Sequence, residues 1–324
     1  MSLRAHLTPL DFGAVLGQLA GLVRMMGWLL LLPAAVGWLS GEPRVAALLS
    51  GLSVAGLALG HWGRSRLSRE MHLREAFVVT ALAYPLFALV GAIAFLPVAT
   101  FIDGFFESMS GFTTTGLTVL DSEGLPRSLR FFRAYMQWIG GAGIVVLSVA
   151  VWRAVRPAGF RFRMYSSATE GERVAGSVQA SARQLVAIYG LLTAVVCVAL
   201  VIAGMSVEDA LLHGLATIST GGFSPHGASI GYYASNPAVL TVTMIGMFLG
   251  ATSFSNYQRL VRRSQGDRRP HDPQAYALIG VVLLGAWLLF ALEGGPWHAV
   301  FDTVSAVTTT GFSLDETAEW SPTR

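Results

Sequence analysis

Seven apolar runs constrain this chain more than any other feature. They are Phe12–Leu39, broken only by Arg24, Val45–Leu59, which extends through Gly60–Trp62, Ala76–Ile102, Ala134–Trp152, Gln184–Val207, Pro237–Gln258 and Pro273–Leu292. A helix needs about 20 apolar residues to cross about 30 Å of hydrocarbon, and these runs are of that order. The rest of the composition agrees. Charged residues make up 13% of the chain and hydrophobic residues 53%, with a mean hydropathy of +0.56. A typical soluble domain carries roughly 25% charge. These values exclude a disordered chain and fit an ordinary soluble enzyme poorly. The single cysteine, Cys197, excludes an internal disulfide framework and a cysteine-cluster metal site. The 22 basic residues are all arginine and are dispersed in short clusters between apolar runs, which is not a nucleic-acid signature.

Arginine placement orients the spans. Arg64, Arg66, Arg69 and Arg74 lie between runs two and three, and Arg153 to Arg183 between runs four and five. Arg259 to Arg269 lie between runs six and seven, whereas Gly204 to Asn236 contains no arginine. This pattern predicts a multi-pass protein with a cytoplasmic N-terminus. Arg24 is expected to snorkel to the interface. Trp28, Trp38, Trp62, Trp138 and Trp152 read as belt or core residues.

An internal repeat sharpens the fold. Thr113–Thr118 reads TTTGLT, Ser219–Ser224 reads STGGFS and Thr308–Ser313 reads TTTGFS. Each copy follows a short amphipathic stretch: Asp103–Phe112, Val207–Ile218 or Trp297–Val307. About ten helical residues reach only about 15 Å, so such a stretch enters the bilayer and turns back. Irregular backbone at that depth must line a water-filled cavity or be buried in protein. A Thr/Gly strand suits the first role. Its carbonyls can replace the hydration shell of a cation, glycine permits the dihedrals this needs, and the negative end of the preceding helix dipole favours the ion. None of the three motifs contains an acidic residue.

Longer stretches carry a family likeness. Phe105–Gly116 (FFESMSGFTTTG), Gln137–Leu147 (QWIGGAGIVVL) and Ala216–Tyr232 resemble the pore segments of the TrkH branch of the TrkH/KtrB/HKT superfamily of potassium-uptake membrane subunits. The resemblance covers about residues 15 to 313. It implies an all-α polytopic membrane protein of the bacterial inner membrane. Helix–pore-helix–filter–helix units would stand in a pseudo-fourfold arrangement behind two extra N-terminal helices. The implied division is residues 1–70 for the N-terminal pair, 71–155 for unit one, 156–265 for unit two and 266–324 for part of unit three. By position, Thr114, Thr115 and Gly116, then Thr220, Gly221 and Gly222, then Thr309, Thr310 and Gly311 would hold K+ in the filter. Against the family pattern the chain lacks the closing helix of unit three and all of unit four. It is therefore read as a fragment, with a non-conducting structural or regulatory membrane partner as the alternative function and sodium-coupled transport as a third. The family also implies a homodimer in the bilayer and a cytoplasmic nucleotide-binding ring of the TrkA type, contacted by the basic segments 153–183 and 259–273. The chain itself carries no Walker A string or GxGxxG fingerprint.

Other residues are expected to be structural. Glu107, His213 and Asp302 each precede a motif glycine by nine positions and read as backbone-bonding groups behind the filter rather than cation attractors. Asp103, Glu208 and Asp209 read as caps of the short helices. The seven histidines are scattered, and no catalytic constellation stands out, so no enzyme is expected.

Overall fold

The computed structural model describes residues 10–67, 73–154, 178–252, 256–257, 280–282, 284–285 and 296–314. Nine α-helices and one 3-10 turn organise them, and no strand occurs among the described residues. Four helices are long and apolar enough to cross a membrane. They are α1 (Phe12–Leu39), α2 (Pro43–Leu67), α3 (Leu73–Phe95) and α6 (Val178–Ile202). The more polar α5 (Arg127–Ala154) has 28 residues.

The first apolar run forms one continuous helix through Arg24, started by Asp11, whose carboxylate accepts from the Gly13 and Ala14 amides. A tight turn at Gly41 sends α2 back along α1. Small residues let the two backbones meet. A Cβ on Gly27 would sit 2.8 Å from the Ser53 carbonyl, and the Ser53 hydroxyl donates to the Gly27 carbonyl at 2.7 Å.

Run three is not one span. The charge-free stretch Ala76–Ile102 divides into α3 and the start of α4 (Phe101–Phe112), with a turn before Thr100. Thr100 is the N-cap: its hydroxyl accepts from the Asp103 amide at 3.2 Å and donates to the Asp103 carboxylate at 2.6 Å. Run five divides the same way, into α6 and α7 (Val207–Ile218), with Ser206 accepting from the Asp209 amide at 3.1 Å. The hydroxyls are thus the caps, and the acids expected to cap lie in the first turn, where they complement the dipole. Helix α8 (Pro237–Ala251) follows α7, and α9 (Pro296–Val307) is the third short helix. Run six is described as helix over α8 and residues 256–257, and run seven only at 280–282 and 284–285.

The order long helix, short helix, bend, long helix recurs in α3–α4–α5 and α6–α7–α8. One apolar core joins α1, α2, α3 and α5, including Met26, Leu49, Phe95 and Phe132. A second joins α6, α7, α8 and α9, including Leu200, Ile218, Met247 and Phe301. Between them, Phe131 and Tyr135 of α5 pack on Leu212 and Leu215 of α7.

Candidate functional site

Each short helix has 12 residues and ends four positions before its motif glycine. The three endings share one hydrogen-bond pattern. The amides of Thr114, Thr220 and Thr309 donate to the carbonyls of Gly111, Thr217 and Ala306 at 3.0, 3.1 and 3.0 Å. The next amides, of Thr115, Gly221 and Thr310, donate to Ser110, Ala216 and Ser305 at 2.9, 2.8 and 2.9 Å. This is the Schellman termination, and its left-handed position is normally glycine. Here it is threonine each time, with φ of 56° at Thr114, 50° at Thr220 and 58° at Thr309. A β-branched residue at positive φ is a rare, strained state that clusters at functional sites. The motif glycines follow with φ of 83°, 79° and 86° at Gly116, Gly222 and Gly311.

The first hydroxyl of each motif closes its helix. Thr113, Ser219 and Thr308 donate to the carbonyls of Met109, Leu215 and Val304 at 2.7, 2.9 and 2.7 Å. The hydroxyls of Thr115 and Thr310 pair with those of Thr113 and Thr308 at 2.7 and 2.8 Å.

The bends lie side by side. A Cβ on Gly116 would overlap the Gly221 carbonyl oxygen, and one on Gly222 would overlap the Thr310 carbonyl oxygen. Gly311 has nothing within 4 Å of its Cβ position among the described residues. Of the motif residues singled out from the sequence, Gly116 of bend one thus abuts Gly221 of bend two, and Gly222 of bend two abuts Thr310 of bend three. Among the described residues, no group of three or more His, Cys, Asp or Glu could hold a metal ion. A cation at the bends would meet backbone and hydroxyl oxygens.

Two residues of α5 support the bends, and neither was singled out as functional from the sequence. Gln137 donates to the Gly221 carbonyl at 2.5 Å and accepts from the Phe223 amide at 3.1 Å. A carbonyl oxygen has two lone pairs, so this bond leaves one free at Gly221. Arg133, one turn earlier, is 2% exposed and donates to Glu107 at 2.6 Å, Ser122 at 2.8 Å, Thr118 at 3.1 Å and the Ser224 carbonyl at 3.3 Å. Its guanidinium also lies 4.3 Å from the Phe223 ring centroid. One face of α5 thus ties the exit of bend one to bend two. The signal was present: an arginine inside a helix at membrane depth is a functional flag. It was lost because a scan for charge-free runs begins span four at Ala134, one residue too late.

The residues nine positions before the glycines divide by contact. Glu107 is fully buried and accepts from the Thr118 hydroxyl at 3.0 Å. His213 is fully buried, within 2.9 Å of the Asp209 carbonyl and 3.1 Å of the Ser224 hydroxyl. Thr118 and Ser224 each lie two residues after their glycine, so both side chains brace the strand leaving the bend. Asp302 is half-buried on α9. At the outer ends of the short helices, Glu208 pairs with Arg127 and, at 3.5 Å, with Arg130. The donating Arg127 guanidinium holds the Glu208 carboxyl below the usual carboxylate range. Asp209 accepts from the Tyr233 hydroxyl at 2.5 Å and lies 3.3 Å from His226.

Of the other residues read from sequence, Trp28, Trp38 and Trp62 are more than half exposed, as belt residues would be. Trp138 stacks between Tyr135 and Tyr189 and donates to Thr193 at 3.0 Å. Most of the two basic segments proposed for a partner ring, residues 155–177 and 258–273, lies outside the described residues.

The chain is similar to known proteins over nearly its whole length. Residues 54–293 match the family model of TrkH, described as a cation transport protein. The chain is 32% identical to the Trk system potassium uptake protein TrkH of Salmonella typhimurium, covering 96% of this chain and 68% of that protein. An uncharacterized cation transporter of Methanocaldococcus jannaschii is 31% identical, over 95% of this chain and 64% of its own length. The crystal structure of the potassium transporter TrkH from Vibrio parahaemolyticus superposes with a TM-score of 0.81 at 29% identity, covering 96% of this chain and 68% of that one. The chain belongs to the TrkH family.

Proposed function

We propose that the chain takes part in potassium uptake across the bacterial inner membrane, the ion passing the three bends. The reading rests on one observation above all: Gly116 abuts the Gly221 carbonyl and Gly222 abuts the Thr310 carbonyl. Strands so close present a dense set of oxygens to one path. Thr114, Thr115 and Gly116, Thr220, Gly221 and Gly222, and Thr309, Thr310 and Gly311 are the proposed K+ contacts, mainly through backbone carbonyls. The short helices direct their negative ends to the same place.

The membrane potential supplies the driving force, about 2.3 kcal/mol per charge per 100 mV. Glycine at 116 and 222 sets the aperture, because any side chain there would push the adjacent strand away. The N-terminus lies in the cytoplasm, residues 71–155, 156–265 and 266–324 act as successive pore units, the third in part, behind the N-terminal hairpin, and the protein works as a homodimer with a TrkA-type nucleotide-binding ring. The chain is a transporter and not an enzyme.

Flux measured in liposomes carrying the purified protein tests this. Potassium or rubidium uptake should exceed sodium uptake, and Gly116→Ser should narrow the difference. Equal selectivity in that variant, or no flux from correctly inserted protein, would contradict the filter assignment.

A further inference from the structure

The α1–α2 hairpin contains a second polar feature, remote from the bends. A cavity of about 360 Å3 opens between the two helices, lined by Gln18, Gly21, Arg24, Trp28 and Arg64 among others. Arg64 crosses from α2 onto α1: a Cβ on Gly21 would lie 3.3 Å from its guanidinium, so glycine leaves room for that approach. Neither Arg24 nor Arg64 forms an ion pair or hydrogen bond among the described residues. Two like charges share one cavity, and among the described residues no acid lines it.

Depth decides what can balance them. Arg64 lies 21 residues after Pro43, about 32 Å along α2, and Arg24 lies 15 residues before Leu39, about 22 Å along α1. With the turn at one membrane face, Arg64 sits at the opposite hydrocarbon boundary and Arg24 just inside it. A guanidinium there is costly unless it reaches a counter-charge. Its planar fork suits a phosphate. The Gln18 amide adds donors at the same level. Soluble anions would have to enter the bilayer to arrive, whereas lipid phosphates already lie at this level.

We propose that this cavity binds the headgroup of an anionic phospholipid, such as phosphatidylglycerol, with Arg24 and Arg64 clamping its phosphodiester. A zwitterionic headgroup carries the same phosphate but cancels it with its own ammonium. The inference is independent of transport, and its failure would leave the filter reading untouched.

Native mass spectrometry tests it on the whole chain extracted from micelles holding equimolar dioleoylphosphatidylglycerol and dioleoylphosphatidylethanolamine. The unaltered protein should retain the glycerol lipid preferentially. Arg24→Gln and Arg64→Gln should each lower that retention about fivefold. Arg24→Lys, which keeps the charge but not the planar fork, should retain an intermediate amount, and retention equal to the unaltered protein would count against a guanidinium clamp. Equal retention of both lipids, or no loss in the Gln variants, would overturn the proposal. Release of the lipid by millimolar inorganic phosphate would overturn it too, assigning the cavity to a free anion. Should the variants not fold, retention by the unaltered protein must fall as salt is raised, and salt-independent retention would count against the clamp.

Discussion

Bends two and three follow the same backbone path in different surroundings. In bend two, Gly221, Gly222, Phe223 and Ser224 are all buried, with Gln137 and Arg133 bonded to the strand. In bend three, Thr309 and Gly311 are exposed; Ser305 of its own helix donates to the Phe312 carbonyl at 2.7 Å, and the segment after bend two reaches only the exit, where the Ser313 amide donates to the Ser229 hydroxyl at 3.3 Å and the Gly231 amide to the Ser313 carbonyl at 3.1 Å. The left-handed threonine, the Schellman bonds and the positive-φ glycine are nonetheless the same in both. A six-residue motif thus encodes the bend, and residues far away in sequence encode its support.

The largest test of that division removes the support. Arg133→Met leaves Glu107 buried without its partner, a loss of about 3–5 kcal/mol, read as a lower thermal unfolding midpoint in detergent. Adding Glu107→Gln should restore most of it. If the single variant were as stable as the parent, α5 would not be the strut described above.

Next comes a contrast between equivalent glycines. Gly222→Ala meets both an unfavourable φ and the Thr310 carbonyl, costing about 2–5 kcal/mol. Gly311→Ala meets only the φ term in this chain, about 1–2 kcal/mol. Unfolding midpoints of the pair should differ accordingly, and equal losses would erase the distinction between the two bends.

Gln137→Leu acts on bend two alone. It strips one acceptor and one donor from buried backbone, about 1–3 kcal/mol, and should lower potassium preference in flux assays more than any substitution at Ser305. The smallest effect is a gain. Thr309→Gly relieves the left-handed strain and should stabilise by about 1 kcal/mol or less, with the midpoint rising or unchanged. A fall there would mean that the threonine side chain, not the backbone, holds bend three.

The local half of this account was legible in the sequence. The TTTG and STGG strings marked where each short helix ends and where glycine is needed, because both follow from backbone geometry. The boundary at Thr100 was not legible, since no charge interrupts Ala76–Ile102 and its two prolines point different ways: Pro85 lies inside α3, and Pro97 in the turn that ends it. The left-handed threonines were hidden for the opposite reason: propensity argues against them, and the Schellman bonds that close each short helix set their φ. Arg133 and Gln137 were missed as struts because their partners lie 26 and 84 positions away, which no periodicity reports.

Thallium carries the charge of potassium at a similar size and scatters anomalously, so crystals grown with it test the shared ion path most directly. The account predicts an anomalous peak enclosed by the backbone oxygens of residues 114–116, 220–222 and 309–311. A thallium-loaded crystal with no peak there, or with its peaks only at the acidic groups near Asp209, would contradict it.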